Sequence, residues 1–205
     1  MKKLLLALTT LVLVACGSTP EPSVSNDGTL SAYYNQKVTW KSCDKGLECA
    51  TVVVPLDYND LKAGDIHIAI ARHKATKSSE QVIFLNPGGP GGSGIDYLEY
   101  WSEQFSATLS ASADLVSWDP RGVKRSAPVE CITDAQMDAD SELDPTPDTS
   151  AEVATFWSTS TDEYKQCVEK TGKVLSHVST IESAKDLDIL RELLQQESLN
   201  YLGKS

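Results

Sequence analysis

The sequence is poor in basic residues. It has 18 lysines and arginines against 29 aspartates and glutamates, which gives a formal net charge of −11 over 205 residues. A surface with this balance repels phosphate backbones and anionic lipid headgroups. We therefore expect neither nucleic acid nor an anionic lipid surface as the main partner, and we interpret the acidic excess as a solvated surface.

The patterns of common metal and nucleotide sites are missing as well. The chain has no CxxC pair, and its three histidines (His67, His73 and His177) do not cluster with the cysteines, which disfavours a zinc site. The phosphate-loop pattern GxxxxGK[ST] does not occur, and GxGxxG does not occur in its usual register. We expect no metal and no cofactor. The length and the 40% hydrophobic content are ordinary for one globular domain.

No apolar run is long enough to span a bilayer. The run at residues 4–15 has only twelve residues and follows Lys2 and Lys3, an order typical of a secretory signal peptide. It ends with Ala15 before Cys16, which resembles the lipobox of bacterial lipoproteins and implies cleavage before Cys16 and lipid attachment to it. An ordinary signal peptide with an incidental cysteine is the alternative.

This segment predicts how the amino-terminal region is organised. We expect a signal peptide at residues 1–15, a flexible Ser-, Pro- and Gly-rich tether at residues 16–30, and the folded domain at residues 31–205. The protein would be an exported bacterial lipoprotein, anchored to a membrane through Cys16. Its expected location is the periplasmic face of the outer membrane or the cell surface.

Four further cysteines remain: Cys43, Cys49, Cys131 and Cys167. An even number in an exported chain indicates two disulfide bonds, for which three connectivities are possible. Proximity in sequence favours Cys43–Cys49 and Cys131–Cys167.

The order of apolar segments predicts an α/β fold. Two continuous apolar runs are typical of strands buried on both faces, and they lie on either side of a helical pattern that fits a crossover. Two earlier β-rich runs fit a hairpin or meander, so we expect antiparallel edge strands leading into a parallel sheet. The predicted strands cover residues 50–54, 66–73, 81–86, 114–119 and 199–202, and the predicted helices cover 95–109, 152–169 and 182–196.

A glycine-rich loop follows the first buried strand. Residues 86–94, NPGGPGGSG, contain five glycines in nine residues. Glycine adopts positive φ and lets another group approach the backbone closely. At the end of a strand, bare N–H groups can face an anion. The loop is therefore either a structural turn or an oxyanion hole, since the phosphate-loop pattern is missing.

Two motifs resemble one enzyme family. Residues 87–92, PGGPGG, resemble the HGGPGG loop of the prolyl and tripeptidyl aminopeptidase family of α/β-hydrolases, with Pro87 in place of histidine as in its secreted tripeptidyl-aminopeptidase branch. Residues 119–126, DPRGVKRS, resemble the family's D-P-R-G-x-G-x-S turn. They depart from it at Lys124, where glycine is usual, and we assign Lys124 no role. The resemblance covers roughly residues 30–205.

The resemblance implies site residues. The family's nucleophile elbow is G-x-S-x-G, and Gly203, Lys204 and Ser205 fit its first three positions after a predicted strand. Ser205 would then be the nucleophile, although a serine without any role is the alternative. Gly89, with Gly88 next, would donate an oxyanion hydrogen bond.

The family's aspartate and histidine follow the serine in the chain. We therefore expect both outside this sequence. The sequence would then be the amino-terminal part of a hydrolase domain, truncated at the elbow and inactive alone.

The expected activity of the parent protein follows from the same resemblance. It would be a serine exopeptidase that releases residues or short peptides from peptide amino termini through an acyl-serine intermediate. An esterase or amidase of the same fold and a non-catalytic binding lipoprotein are the alternatives.

Overall fold

The computed structural model describes residues 22–24, 27–106 and 109–204. The predicted signal peptide, Cys16 and Ser205 lie outside the described residues. Within the described part of the chain, no helix has the length and apolar character needed to cross a membrane.

The domain alternates strands and helices. The strands are β1 (Lys41–Ser42), β2 (Glu48–Pro55), β3 (Asp65–His73), β4 (Val82–Asn86), β5 (Asp114–Trp118) and β6 (Tyr201–Gly203). The helices are α1 (Ser31–Tyr34), α2 (Gly94–Ser106), α3 (Asp134–Ser141), α4 (Ser150–Thr171) and α5 (Thr180–Leu193), with short 3-10 turns at Asp44–Gly46 and Gly172–His177.

All six strands form one mixed sheet in the order β1-β2-β3-β5-β4-β6. The pairs β1–β2, β2–β3 and β3–β5 are antiparallel, whereas β4 pairs in parallel with both β5 and β6. The predicted α/β class, with antiparallel strands leading into a parallel sheet, is confirmed. Because β4 lies between β5 and β6, the carboxyl ends of these three strands meet at one edge of the sheet.

Helices cover both faces of the central strands. On one face, Phe84 of β4 and Val116 of β5 lie in a core cluster with Ile189 and Leu190 of α5. On the other face, Leu85 and Leu115 join a second cluster that contains Ile95 and Leu98 of α2. Burial on both faces explains why β4 and β5 appear in the sequence as continuous apolar runs.

The structure contains disulfide bonds between Cys43 and Cys49 and between Cys131 and Cys167, the connectivity that proximity favours. The second bond joins the segment after β5 to α4. In the predicted tether, Val24 packs against the core of the domain.

Candidate active site

The glycine loop between β4 and α2 depends on glycine geometry. Gly88, Gly89 and Gly91 have φ angles of 84°, 129° and 88°. Residues with a side chain rarely adopt such positive φ angles, because the β-carbon clashes with the backbone. A β-carbon on Gly94 would lie 2.1 Å from the carbonyl oxygen of Trp118. Glycine at position 94 therefore lets α2 begin directly against the end of β5.

Two backbone amides of this loop differ in their hydrogen bonding. The N–H of Gly88 donates to Oδ1 of Asn86 at 3.3 Å. For the N–H of Gly89, the described residues offer no hydrogen-bond acceptor. Gly89 is thus the better placed of the two predicted oxyanion donors to bind an external oxygen atom.

Asp119 joins the glycine loop to the 119–126 turn. Its buried carboxylate accepts hydrogen bonds from Ser93 Oγ at 2.5 Å and from the backbone N–H of Ile95 at 3.3 Å. The backbone and guanidinium of Arg125 donate to its other oxygen at 3.2 Å and 3.1 Å. Asp119 therefore fixes one loop relative to the other.

Arg121 is buried and fully occupied by protein groups. Its guanidinium donates to both carboxylate oxygens of Asp186, at 2.7 Å and 2.6 Å. It also donates to the carbonyl oxygens of Pro55, Leu56 and His177. Arg121 thereby joins the end of β5 to the end of β2 and to α5, which makes it a structural residue.

Arg121 and Asp186, the two members of this buried ion pair, both have shifted pKa values. Burial alone would lower the pKa of Arg121, but the hydrogen bonds and charge of Asp186 outweigh burial and raise it. Burial raises the pKa of Asp186, against the hydrogen bonds that it accepts from Arg121 and from the hydroxyl of Tyr58. The Asp186 carboxylate is thus buried, and it accepts hydrogen bonds from Arg121 and Tyr58.

Lys124 has a φ of 40°, in the left-handed region that favours glycine. Its ammonium group pairs with Asp96 in the first turn of α2, and Arg125 contacts the same carboxylate at 3.0 Å. The hydrogen bond from Lys124 lowers the pKa of Asp96. The departure from the family motif thus adds a cation beside the amino-terminal end of α2.

Strand β6 brings its last residues to the glycine loop. Asn86 and Gly203 are partners across the β4–β6 pair, and the N–H of Lys204 donates to the carbonyl oxygen of Asn86 at 3.0 Å. The ammonium group of Lys204 lies over the rings of Tyr97 and Trp101 of α2, at 5.6 Å and 5.1 Å from their centroids. The residue before Ser205 therefore lies beside the predicted oxyanion loop.

A cleft of about 480 Å³ opens at this edge of the sheet. In open α/β sheets, ligands bind at the carboxyl ends of the strands. Two larger clefts, of about 590 and 860 Å³, lie beside β2 and β3 and beside the start of α3, and the glycine loop lines neither of them. The cleft is lined by Asn86, Gly88, Gly89, Pro90, Gly91, Gly92, Pro120, Arg121, Gly122, Val123, Val129, Val178, Thr180, Ser183 and Lys204.

The histidines have other surroundings. His67 and His73 lie on β3 and are not among the residues that line the cleft. Nδ1 of His177 lies 2.9 Å from Oε1 of Glu182. The side-chain atoms of Asp57, His177 and Glu182 that could bind a metal ion all lie within 4.8 Å of one another. Glu182 also accepts from Ser179 and lies 3.7 Å from the guanidinium of Arg121, whose charge would oppose a metal ion. We therefore interpret this group as the cap of α5.

Sequence reasoning did not single out two polar residues of the site, Asn86 and Tyr201. The amide of Asn86 donates to the hydroxyl of Tyr201 at 2.7 Å, across the β4–β6 pair. The position of Asn86 at the end of a buried strand, immediately before the glycines, was the available signal.

Comparison with known proteins identifies relatives of this chain, although no protein-family model matches it. It is 32% identical over 179 residues to a tripeptidyl aminopeptidase of Streptomyces lividans, which covers 82% of this chain and 33% of that protein. It is 36% identical over 183 residues to the serine protease Hip1 of Mycobacterium tuberculosis, covering 83% of this chain and 35% of that protein. A carboxylesterase B of Mycobacterium tuberculosis is 33% identical over 189 residues, covering 86% of this chain and 36% of that protein.

The chain thus spans about one third of the length of the curated relatives it matches. The similarity extends over most of this chain, and the sheet agrees with the predicted α/β arrangement. These similarities, together with the mixed sheet, support an α/β-hydrolase family for the chain.

Proposed function

We propose that Ser205 is the nucleophile of a serine hydrolase, and that the whole protein releases short peptides or single residues from peptide amino termini. The observation that carries the proposal is the meeting of β4 and β6. Lys204, the neighbour of Ser205, donates to Asn86 at the start of the glycine loop at 3.0 Å. A serine hydroxyl and a set of backbone donors near one edge of a sheet suit acyl transfer.

The proposed reaction uses a tetrahedral intermediate. The Ser205 oxygen attacks the carbonyl carbon while a general base takes the hydroxyl proton, and the carbonyl electron pair moves onto oxygen. The N–H of Gly89 stabilises that oxyanion. Collapse expels the amine, which takes the proton, and water then hydrolyses the acyl-serine by the same steps.

The general base and its acidic partner belong to the whole protein in this proposal. In this fold the aspartate and histidine follow the nucleophile in chain order, and His67, His73 and His177 all precede Ser205. None of these three lines the cleft. We therefore assign none of them to the catalytic triad.

The amino-terminal region is proposed to export and anchor the enzyme. Residues 1–15 would be the signal peptide, Cys16 would carry the lipid, and residues 16–30 would connect it to the domain. Acylation at two sites of the mature terminus provides the stable membrane attachment that a single chain does not. Metabolic labelling with an alkyne fatty acid, compared between the natural sequence and Cys16→Ala, tests the anchor.

An esterase acting on small esters is the second candidate. It is favoured by the similarity to a protein named carboxylesterase B, at 33% identity. Both candidates use the same nucleophile and oxyanion donors. Parallel assays with amino-terminal tripeptide amides and short-chain esters separate them by kcat/KM.

The decisive test is active-site labelling of the whole protein. A fluorophosphonate should label the natural protein at Ser205, and Ser205→Ala should abolish both labelling and hydrolysis. Ser198→Ala, an exposed serine in the same segment, is the matched control and should leave both unchanged. A folded natural protein that is labelled elsewhere, or not at all, would contradict the assignment of Ser205.

A further inference from the structure

Asn86 is the junction between the glycine loop and β6. It is the last residue of β4, and its main chain pairs with Gly203 and accepts from the N–H of Lys204. Its side chain is half-buried and uses both ends of its amide. Oδ1 accepts from the N–H of Gly88 at 3.3 Å, and Nδ2 donates to the Tyr201 hydroxyl at 2.7 Å.

Tyr201 reaches Asn86 by lying along its own strand. A β-carbon on Gly203 would lie 2.6 Å from a ring carbon of Tyr201, so the ring covers the backbone of Gly203. The side chain is otherwise 47% exposed, and the sheet core does not require it. Its hydrogen bond to Asn86 therefore spans from β6 to the first residue of the glycine loop.

These contacts give the Asn86 side chain a specific geometric task. By holding the N–H of Gly88, it orients the Pro87–Gly88 peptide plane, which is one plane before the Gly88–Gly89 peptide. That next peptide carries the N–H of Gly89, which faces no described acceptor. By holding Tyr201, it ties that peptide to the strand that leads to Ser205. A shift of a few tenths of an ångström between oxyanion donors and nucleophile weakens transition-state stabilisation more than substrate binding.

We propose that Asn86 is a positioning residue, which fixes the Gly89 oxyanion donor relative to β6, the strand that precedes Ser205 in the sequence, by joining the glycine loop to that strand. This inference rests on the proposed function. Asn86 acts through Gly88 and Tyr201 and does not touch the reacting atoms.

The test measures kcat and KM separately in the whole protein for three variants. Asn86→Ala removes both side-chain hydrogen bonds and should lower kcat about 10- to 100-fold with KM changed less than about threefold, less than the loss of an oxyanion donor itself. Asn86→Asp keeps the acceptor for Gly88, and its carboxylate can accept a hydrogen bond from the Tyr201 hydroxyl, so both links remain but a negative charge is added beside the glycine loop. Tyr201→Phe removes only the hydroxyl at an exposed position, and both variants should lower kcat about three- to tenfold.

A matched control and a double variant separate positioning from general stability. Tyr100→Phe removes a hydroxyl from a tyrosine that is 73% exposed on α2, and kcat should stay unchanged. Because Asn86 and Tyr201 act through one hydrogen bond, Asn86→Ala combined with Tyr201→Phe should lose no more than Asn86→Ala alone.

The outcomes distinguish this inference from the proposed function. If the natural protein neither hydrolyses substrate nor reacts at Ser205, the proposed function fails. If it does both, but Asn86→Ala and Tyr201→Phe keep the natural kcat and only lower the melting temperature, Asn86 is structural and the inference is overturned. The inference would also be overturned if Asn86→Ala and Tyr201→Phe each lowered kcat equally and the double variant lost the sum of the two effects in free energy.

Discussion

At the scale of single residues, the two family motifs divide into residues that build the site and residues that face the cleft. Asp119 and Arg121 are buried, and protein groups occupy their hydrogen-bonding atoms. The glycines before α2 leave the N–H of Gly89 without an acceptor among the described residues. In this structure, Asp119 and Arg121 of the DPRG motif fix the positions of the loops, and the backbone N–H of Gly89 stays available to bind an external oxygen atom.

The buried ion pair gives a prediction about stability. Asp186→Asn should lower the free energy of unfolding by about 3–5 kcal/mol, because it leaves the buried guanidinium of Arg121 without a counter-charge. Urea denaturation followed by tryptophan fluorescence measures the change.

Asp188→Asn is the matched control on the same helix. Asp188 pairs with Arg191 at an exposed position, so the cost should be about 0–1 kcal/mol. Equal costs for the two variants would show that burial of the Arg121 pair does not matter.

At the scale of elements, α4 differs from the helices that cover the sheet. None of its described residues is buried, and Val153, Trp157, Tyr164 and Val168 are exposed. Its attachments to the preceding segment are the Cys131–Cys167 disulfide, the hydrogen bonds between Thr171 and Glu130, and a bond between Gln136 and Gln166. A helix with so little buried surface depends on such links for its position.

Removing that disulfide should loosen α4 without unfolding the sheet. In the double variant Cys131→Ser with Cys167→Ser, amide hydrogen exchange across Ser150–Thr171 should accelerate about tenfold or more. The reason is that a cross-link of this kind contributes about 2–4 kcal/mol. Mass spectrometry of peptic peptides measures the exchange. Peptides from β4 and β5 should keep their protection.

Cys43→Ser with Cys49→Ser provides the comparison. That disulfide closes a short loop beside β1 and β2, far from α4 in the chain. Exchange in α4 should be unchanged in this variant. Loss of protection throughout the protein when Cys131 and Cys167 are replaced would contradict a local role for their bond.

The elements predictable from sequence were those with strong burial patterns. The predicted strands at residues 81–86 and 114–119 contain β4 (Val82–Asn86) and β5 (Asp114–Trp118), whose two faces are both covered by helices. Helix α3 was not predicted because its eight residues, DAQMDADS, are short and polar and carry no apolar stripe, and the capping box between Thr133 and Gln136 was its available signal. Strand β6 begins later than predicted, at Tyr201, because its register is set by pairing with β4.

In the candidate site, too, only the part with a strong local sequence pattern was predictable. The glycine loop was predictable because its backbone conformation depends on local composition. The Asn86–Tyr201 hydrogen bond joins residues 115 positions apart, and it exists only because β6 lies beside β4. Composition and periodicity do not specify which strands are neighbours, so this contact required the fold.

At the scale of the whole molecule, acidic groups dominate the charge, and their pairing sets the response to pH. The pKa of Asp96 is lowered by Lys124, and that of Asp188 by Arg191 and Tyr34. Burial raises the pKa of Glu182, but hydrogen bonds from His177 and Ser179 outweigh it and lower the pKa.

The sign of the pH effect follows from these shifts. A carboxyl group whose pKa is lower in the folded state than in the unfolded state adds stability above its unfolded pKa, about 4. It loses that contribution as the pH falls through the folded value.

We therefore expect the free energy of unfolding to decrease from pH 5 to pH 3, with Asp96 responsible for part of the decrease. The difference in urea midpoint between the natural protein and Asp96→Asn should be largest at pH 5 and should shrink toward pH 3, where the natural carboxylate also loses its charge. Asp96 is partly exposed, so 0.5 M salt should reduce the difference at pH 5 through screening by roughly a 4–5 Å Debye length. A difference that is constant across this pH range would show that the pairing of Asp96 with Lys124 and Arg125 does not stabilise the fold electrostatically.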